Sequence, residues 1–284
     1  MKVLLTNDDG IQAAGLHAMR RALASLSDVE LAVIAPDANR SATARSITTR
    51  SPLWVQEIPF EDGTSGFATD GTPVDCVRFA ALGLVEFEPE LIVSGINHGA
   101  NLGDDITYSG TVAAALEGAV LGVPAIAVSQ QSKTREMDFR LGREFDFEAV
   151  ASFTARLISG LDDRPMPPGI LLNVNCPAIE DRELRGAEVT RLGKRIYRDK
   201  LELQEEATDG GVSRRRYRIY GDDPSYHHEE GTDFAAIRAE RISVTPLHFQ
   251  LTDVDSMEEI RTWGLSDLLG PPEEVVAPGR PPAA

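Results

Sequence analysis

Met1-Lys2-Val3-Leu4-Leu5-Thr6-Asn7-Asp8-Asp9-Gly10-Ile11 is the stretch on which the reading of this chain turns. An apolar run, Val3-Leu4-Leu5, passes directly into two adjacent acids and a glycine, so a buried strand is expected to stop at a polar, turn-forming tip. In open α/β sheets, ligands sit outside the carboxyl ends of such strands, and acids there can hold a hard cation through their oxygens. Two neighbouring acids repel unless a cation or solvent relieves them. Asp-Asp-Gly alone equally fits an ordinary turn closing an N-terminal strand, so the rest of the chain has to decide.

Beyond this tip, 15–26 carries apolar residues at helical spacing, with His17 read as a packing or surface residue. Glu30-Leu31-Ala32-Val33-Ile34-Ala35-Pro36 reads as a second buried strand. Strand, helix, strand over this length is a βαβ unit with parallel pairing. The loop 36–46 therefore leaves on the same edge as Asp8 and Asp9. It is polar, with Ser41 and two arginines, and fits either a solvated loop or a substrate loop. Residues 46–68 turn β-branched and alternating, around Ile47-Thr48-Thr49 and 53–58, and read as an antiparallel excursion with a turn at Asp62-Gly63. Thr72-Pro73 has the grammar of a helix cap.

The opening pattern returns at 90–105. Here an apolar strand ends in a glycine-rich tip bearing Asn97 and Asn101, whose amide oxygens are neutral hard ligands. Ser109-Gly110-Thr111 then opens an alanine-rich helix, whose first amides suit a phosphate as well as they suit a bare cap. Further core strands are expected at 124–129 and 169–175, with an amphipathic helix over 145–159 between them. A protruding hairpin is expected at about 195–220 around Gly210-Gly211, a strand at 242–247, and a C-terminal helix within 251–270, at 256–263. The Pro/Ala-rich 271–284 is expected to be disordered.

Composition narrows the function. Twenty-eight Lys and Arg against 45 Asp and Glu give a formal charge of −17, which argues against a stable nucleic-acid partner. The Arg214 to Arg218 run reads as a solvated or inter-subunit strand face. The apolar runs are shorter than a bilayer span and no signal-peptide pattern opens the chain, so no membrane partner and a cytoplasmic location are expected. Cys76 and Cys176 lie too far apart for a close-spaced zinc site or a disulfide framework. Oxygen ligands without a His or Cys cluster favour magnesium, manganese or calcium, and a hard cation beside a phosphate seat points to phosphoryl chemistry.

Taken in order, Asn7-Asp8-Asp9-Gly10, Ala35-Pro36-Asp37, Asn39-Arg40-Ser41, Ser46-Ile47-Thr48, Gly71-Thr72-Pro73, Asp75-Cys76 and Ser94-Gly95-Ile96-Asn97 resemble the SurE (survival protein E) family of nucleotidases. The match continues through Gly99, Asn101-Leu102-Gly103-Asp104-Asp105, Tyr108 to Ala115, Gly231 to Ala235 and Val244 to Leu247. The resemblance implies a Rossmann-like three-layer α/β core with a mainly parallel sheet over 1–250, and a C-terminal hairpin and extension used in oligomerisation. It implies a homodimer, with a tetramer as a further state.

It also implies a metal-dependent hydrolase of nucleoside 5′- and 3′-monophosphates, with short polyphosphate as a further substrate. One magnesium or manganese per subunit would sit on Asp8, Asp9, Ser41 and Asn97, with Asp8 or Asp9 also taking the proton. Asn101, Ser109, Gly110 and Thr111 would contact phosphate. Where many members have Ser-Gly-x-Ser, this chain has Ser41-Ala42-Thr43-Ala44, which removes a glycine and a hydroxyl from the metal loop. Two enzyme alternatives fit less well. A haloacid-dehalogenase-type phosphatase needs a second Asp where Gly10 stands, and a dinucleotide dehydrogenase needs a Gly-x-Gly-x-x-Gly after the first strand. A non-catalytic nucleotide-sensing module, motivated by Ala42 and Ala44, is the alternative from another class.

Overall fold

The computed structural model describes residues 1–133, 145–198, 200–219 and 225–269. In chain order the elements begin β1 (Lys2–Thr6), α1 (Ala14–Ala24), β2 (Glu30–Pro36), β3 (Val55–Pro59), β4 (Ser65–Thr69), α2 (Pro73–Ala81) and β5 (Leu91–His98). They continue with α3 (Gly110–Val120), β6 (Ala125–Gln130), α4 (Glu148–Ser159), β7 (Ile170–Cys176), β8 (Ala187–Val189) and β9 (Arg195–Ile196). The last are β10 (Glu202–Asp209), β11 (Val212–Arg218), β12 (Ser225–Tyr226), α5 (Asp233–Arg238), β13 (Ile242–His248) and α6 (Val254–Arg261).

Nine strands form one mixed, mainly parallel sheet in the order β3-β4-β2-β1-β5-β6-β7-β13-β8, with antiparallel pairing only at β3/β4 and β7/β13. Alternation along each strand divides the core in two. Val3, Leu5, Val33, Val93 and Val174 pack with Leu16, Met19 and Leu23 of α1 and Val150 and Ile158 of α4. Leu4, Ile34, Ile92, Ala127 and Leu171 pack on the other face with Val77 and Ala80 of α2 and Val112 and Ala115 of α3. Covering both faces explains the uninterrupted apolar runs, since each fully buried Leu or Val contributes about 1.5–3 kcal/mol relative to exposure. The result is a three-layer α/β fold.

From β1 the chain moves one way to β2, then returns past β1 to β5, so the strand order reverses between β1 and β5. That reversal opens a crevice at the carboxyl ends of β1 and β5, where ligands bind in sheets of this type. Asp8 and Asp9 follow β1, and Asn97 and His98 end β5.

One local expectation is corrected. Ile47-Thr48-Thr49 is not a strand; Thr48 instead donates its amide and hydroxyl to the Asp75 carboxylate, at 3.0 and 2.8 Å. The antiparallel excursion is present as β3 and β4, with its turn at Asp62-Gly63, and β4 joins it to the main sheet by pairing parallel with β2. The strand expected to end in the glycine-rich tip runs to His98, through a register shift between Ser94 and Asn97. The expected cap at Thr72 is present, as a capping box with Asp75 ahead of Pro73.

The hairpin β10/β11 is exposed along its length, and its basic run is partly neutralised across the strands by Arg215–Glu206 and Arg216–Glu205 pairs. The chain divides into Met1–Phe249 and a second unit from Gln250, which holds α6 and a 3₁₀ turn at Leu265–Leu269. The expected tail at 271–284 lies outside the described residues. Among the described residues no helix is long and apolar enough to cross a membrane.

Candidate active site at the strand switch point

The turn after β1 is set by its own side chains. Asn7, fully buried, donates to the Gly10 carbonyl at 2.9 Å and accepts the Gly10 amide at 3.2 Å. Gly10 has φ +103°, and a Cβ there would lie 3.2 Å from the Ala38 backbone, so glycine is required on two counts. This bracket projects Asp8 and Asp9 in succession into the crevice.

Asp8 is 3% exposed, and its Oδ1 accepts the Thr111 hydroxyl at 2.5 Å. Thr111 can reach it because Gly110 carries no side chain; a Cβ there would lie 2.7 Å from the Asp8 Cβ. Burial, then the charge of Asp9, pushes the Asp8 carboxyl up to about 6, against the lowering effect of the Thr111 hydroxyl and amide. Asp9 is held at both oxygens: Oδ1 accepts Asn39 Nδ2 and Oδ2 accepts the His98 amide, each at 2.9 Å.

Asn39 is the link that sequence reasoning missed. Its Oδ1 accepts the Ser41 amide at 2.9 Å, so one side chain ties Ser41 to Asp9. The same loop is tied to the core by the Arg40 amide on the Asp8 carbonyl at 2.6 Å, and by Arg45 on Glu117 at 2.6 Å. Glu117 is 1% exposed and also receives Arg78 at 2.7 Å.

Within the loop, Ala42 and Ala44 hold left-handed backbone, at φ 59° and 51°. A non-glycine residue there costs about 1–2 kcal/mol. Ala42→Gly should therefore raise stability by roughly 1 kcal/mol after the greater chain entropy of glycine is subtracted, a gain readable as a higher urea midpoint. An unchanged or lower midpoint would contradict the strain.

The Asn97 amide donates to the Gly99 carbonyl at 2.8 Å, which turns its Oδ1 the other way. Ser109 caps α3 by accepting the Val112 amide at 3.1 Å, so its hydroxyl proton remains able to donate. Asn101 is 8% exposed and braced from behind: its amide NH₂ donates to Ser129 at 2.8 Å, and its backbone pairs with Asn173 and Asn175. Thr111 and Asn101, expected on phosphate, thus have protein partners, and Thr111 serves to hold Asp8. His17, edge-on to Phe60, is a packing residue. Asp9, Asn39 and Ser41 share a cavity of about 620 Å³ with Ala14, His98, Phe145 and Phe147.

The donor chemistry fits a hard divalent cation. Two carboxylates, a hydroxyl and an amide oxygen are all oxygen donors, and no trio of His, Cys, Asp and Glu converges among the described residues, as a zinc site would require. A carboxyl raised first by burial and then by its acidic neighbour is also what a bound cation would relieve.

Known proteins resemble this chain over most of its length. The family described as survival protein SurE matches residues 3–199. A "5'-nucleotidase SurE" of Rubrobacter xylanophilus is 54% identical over 271 residues, covering 95% of this chain and 99% of that protein. Another of that description, from Chloroflexus aggregans, is 46% identical over 93% of this chain and 99% of its own length. The crystal structure of the SurE protein from Aquifex aeolicus superposes with a TM-score of 0.73 at 37% identity, covering 92% of this chain and 99% of that one. With the paired aspartates at the strand switch point and likeness over nearly its whole length, this chain belongs to the SurE family.

Proposed function

We propose that this chain is a divalent-cation-dependent phosphomonoesterase that hydrolyses nucleoside 5′- and 3′-monophosphates to nucleoside and phosphate. The observation that carries the reading is the pair of carboxylates at the strand switch point, one braced by Thr111 and the other by Asn39 and the His98 amide. The names of the relatives as 5′-nucleotidases support the substrate class. Short polyphosphate, with the same terminal phosphoryl group, is a second substrate.

Asp8, Asp9, Ser41 and Asn97 would hold magnesium or manganese, which when bound neutralises charge on a phosphoryl oxygen and acidifies a water ligand. The chain's own groups do the rest. The Ser109 hydroxyl and the Gly110 amide, at the positive end of α3, receive the phosphate oxygens, with Asn101 fixing the loop behind them. Thr111 holds Asp8 in one orientation, so that its Oδ2 can accept a proton from the attacking water; Asn39 and His98 do the same for Asp9. No covalent intermediate is required.

The exposed apolar residues Leu203, Val212 and Tyr217 of the β10/β11 hairpin support a homodimer, or a tetramer built from it. Two buried, unpaired thiols support a reducing, cytoplasmic setting. Phosphate release from 5′-AMP, 3′-AMP and GMP should appear with magnesium or manganese and vanish with EDTA. No release from any of them with either cation present would overturn the proposal.

A further inference from the structure

The cavity that holds Asp9, Asn39 and Ser41 has a second wall of different chemistry. His98, Phe145 and Phe147 line it with three mutually packed rings. His98 lies 5.0 Å from Phe147 at 29° and 5.1 Å from Phe145 at 32°, and the two phenylalanines lie 5.5 Å apart at 16°. The His98 ring is fixed by the Gly15 amide, which donates to its Nε2 at 3.2 Å. Phe147 is 9% exposed and belongs to the core, while Phe145 is half-buried and packs against that core.

Polar groups and a cluster of aromatic rings therefore meet in one space, and a single residue joins them: the His98 amide donates to Asp9 while its ring belongs to the wall. Phosphate alone would use only the polar side. A ligand with an anionic end and a planar π-system uses both.

We infer that His98 and Phe145, backed by Phe147, form the nucleobase subsite, on which the base of the monophosphate stacks while its phosphoryl group lies at Asp9. This rests on the nucleotidase reading and goes beyond it by naming the residues that recognise the base. Stacking on an aromatic face is sequence-tolerant but grows with ring area, so purines gain more than pyrimidines.

The test compares kcat/KM for 5′-AMP with kcat/KM for ribose 5-phosphate, which carries the same phosphoryl ester and no base. In Phe145→Leu and in His98→Ala the ratio should fall roughly tenfold, chiefly through KM for AMP, as expected for the loss of one base–aromatic stack. Phe145→Tyr, which restores an aromatic face, should bring the ratio back and so separates stacking from damage to the fold. A ratio equal to wild type in Phe145→Leu and His98→Ala would overturn the subsite while leaving the nucleotidase reading intact. A wild-type protein that cleaved ribose 5-phosphate but not AMP would overturn both.

Discussion

Asp9→Asn is expected to lower kcat/KM for a nucleoside monophosphate by at least about 100-fold, the scale on which one aimed charge-stabilising group is felt. Both Asp9 oxygens accept hydrogen bonds, from Asn39 Nδ2 and from the His98 amide. An asparagine must set an NH₂ group against one of those donors, so the link from Asp9 through Asn39 to Ser41 loosens as the charge is lost. Cation affinity should fall with turnover, by about 10- to 100-fold when the supporting shell is disturbed as well. The fold should survive, because removing one of two neighbouring acids relieves the repulsion acting on Asp8. The melting temperature in chelator is therefore expected to stay within about 4 °C of wild type, the scale of a 1 kcal/mol change in a domain of this size. Full activity with saturating manganese would contradict the assignment, and a collapse of the fold would show that the carboxylate is structural.

The second large effect is a dependence of stability on pH that appears when metal is removed. Asp8 in the folded, metal-free chain is raised from 3.8 to about 6. The folded state therefore holds a proton that the unfolded state has already lost. That contribution is complete below about pH 4 and disappears as pH rises through 6, a total of about 3 kcal/mol, of which roughly half falls between pH 5 and 7.5. In EDTA, the melting temperature should drop by about 3–6 °C over that interval through this group. His17 works in the opposite direction, since burial and then Arg20 and Arg21 lower its pKa and make its protonation at low pH unfavourable to the fold. Asp8→Asn isolates the carboxyl: its stability should exceed wild type more at pH 7.5 than at pH 5. Magnesium or manganese in the millimolar range should abolish the drop in wild type. An equal difference between the two proteins at both pH values would contradict the buried pair.

The parts of this molecule that were legible in the sequence are those in which local chemistry and tertiary setting agree. β1, β2, β5, β6 and β7 read as apolar runs because both faces of the sheet are covered, and a strand with no solvent face has no reason to alternate. Thr72-Pro73 and Ser109-Gly110 announced helix starts because the capping groups lie within three residues of what they cap. Parallel pairing then gathered Asp8, Asp9 and Asn97 at one sheet edge, with the Ser41 loop tied to the first two.

What could not be read depends on partners far apart in the chain. Ile47-Thr48-Thr49 has the β-branched composition of a strand, but Asp75, twenty-seven residues on, captures Thr48 and decides otherwise. Thr111 looked like a phosphate ligand because helix N-termini bind anions, and the anion it holds is the carboxylate of Asp8, 103 residues earlier. Nothing in Ala42-Thr43-Ala44 forecasts left-handed backbone, which is imposed by bonds at both ends of the loop. The aromatic wall joins His98, at the end of β5, to Phe145 and Phe147, just ahead of α4, which are far from it in the chain.

The convergence of four oxygen donors on one cation is tested most directly by anomalous scattering from crystals of this protein grown with manganese. A single peak per subunit is expected, bounded by the side-chain oxygens of Asp8, Asp9, Ser41 and Asn97. A peak at any other set of side chains, or manganese absent from the crevice while present elsewhere in the crystal, would contradict the account.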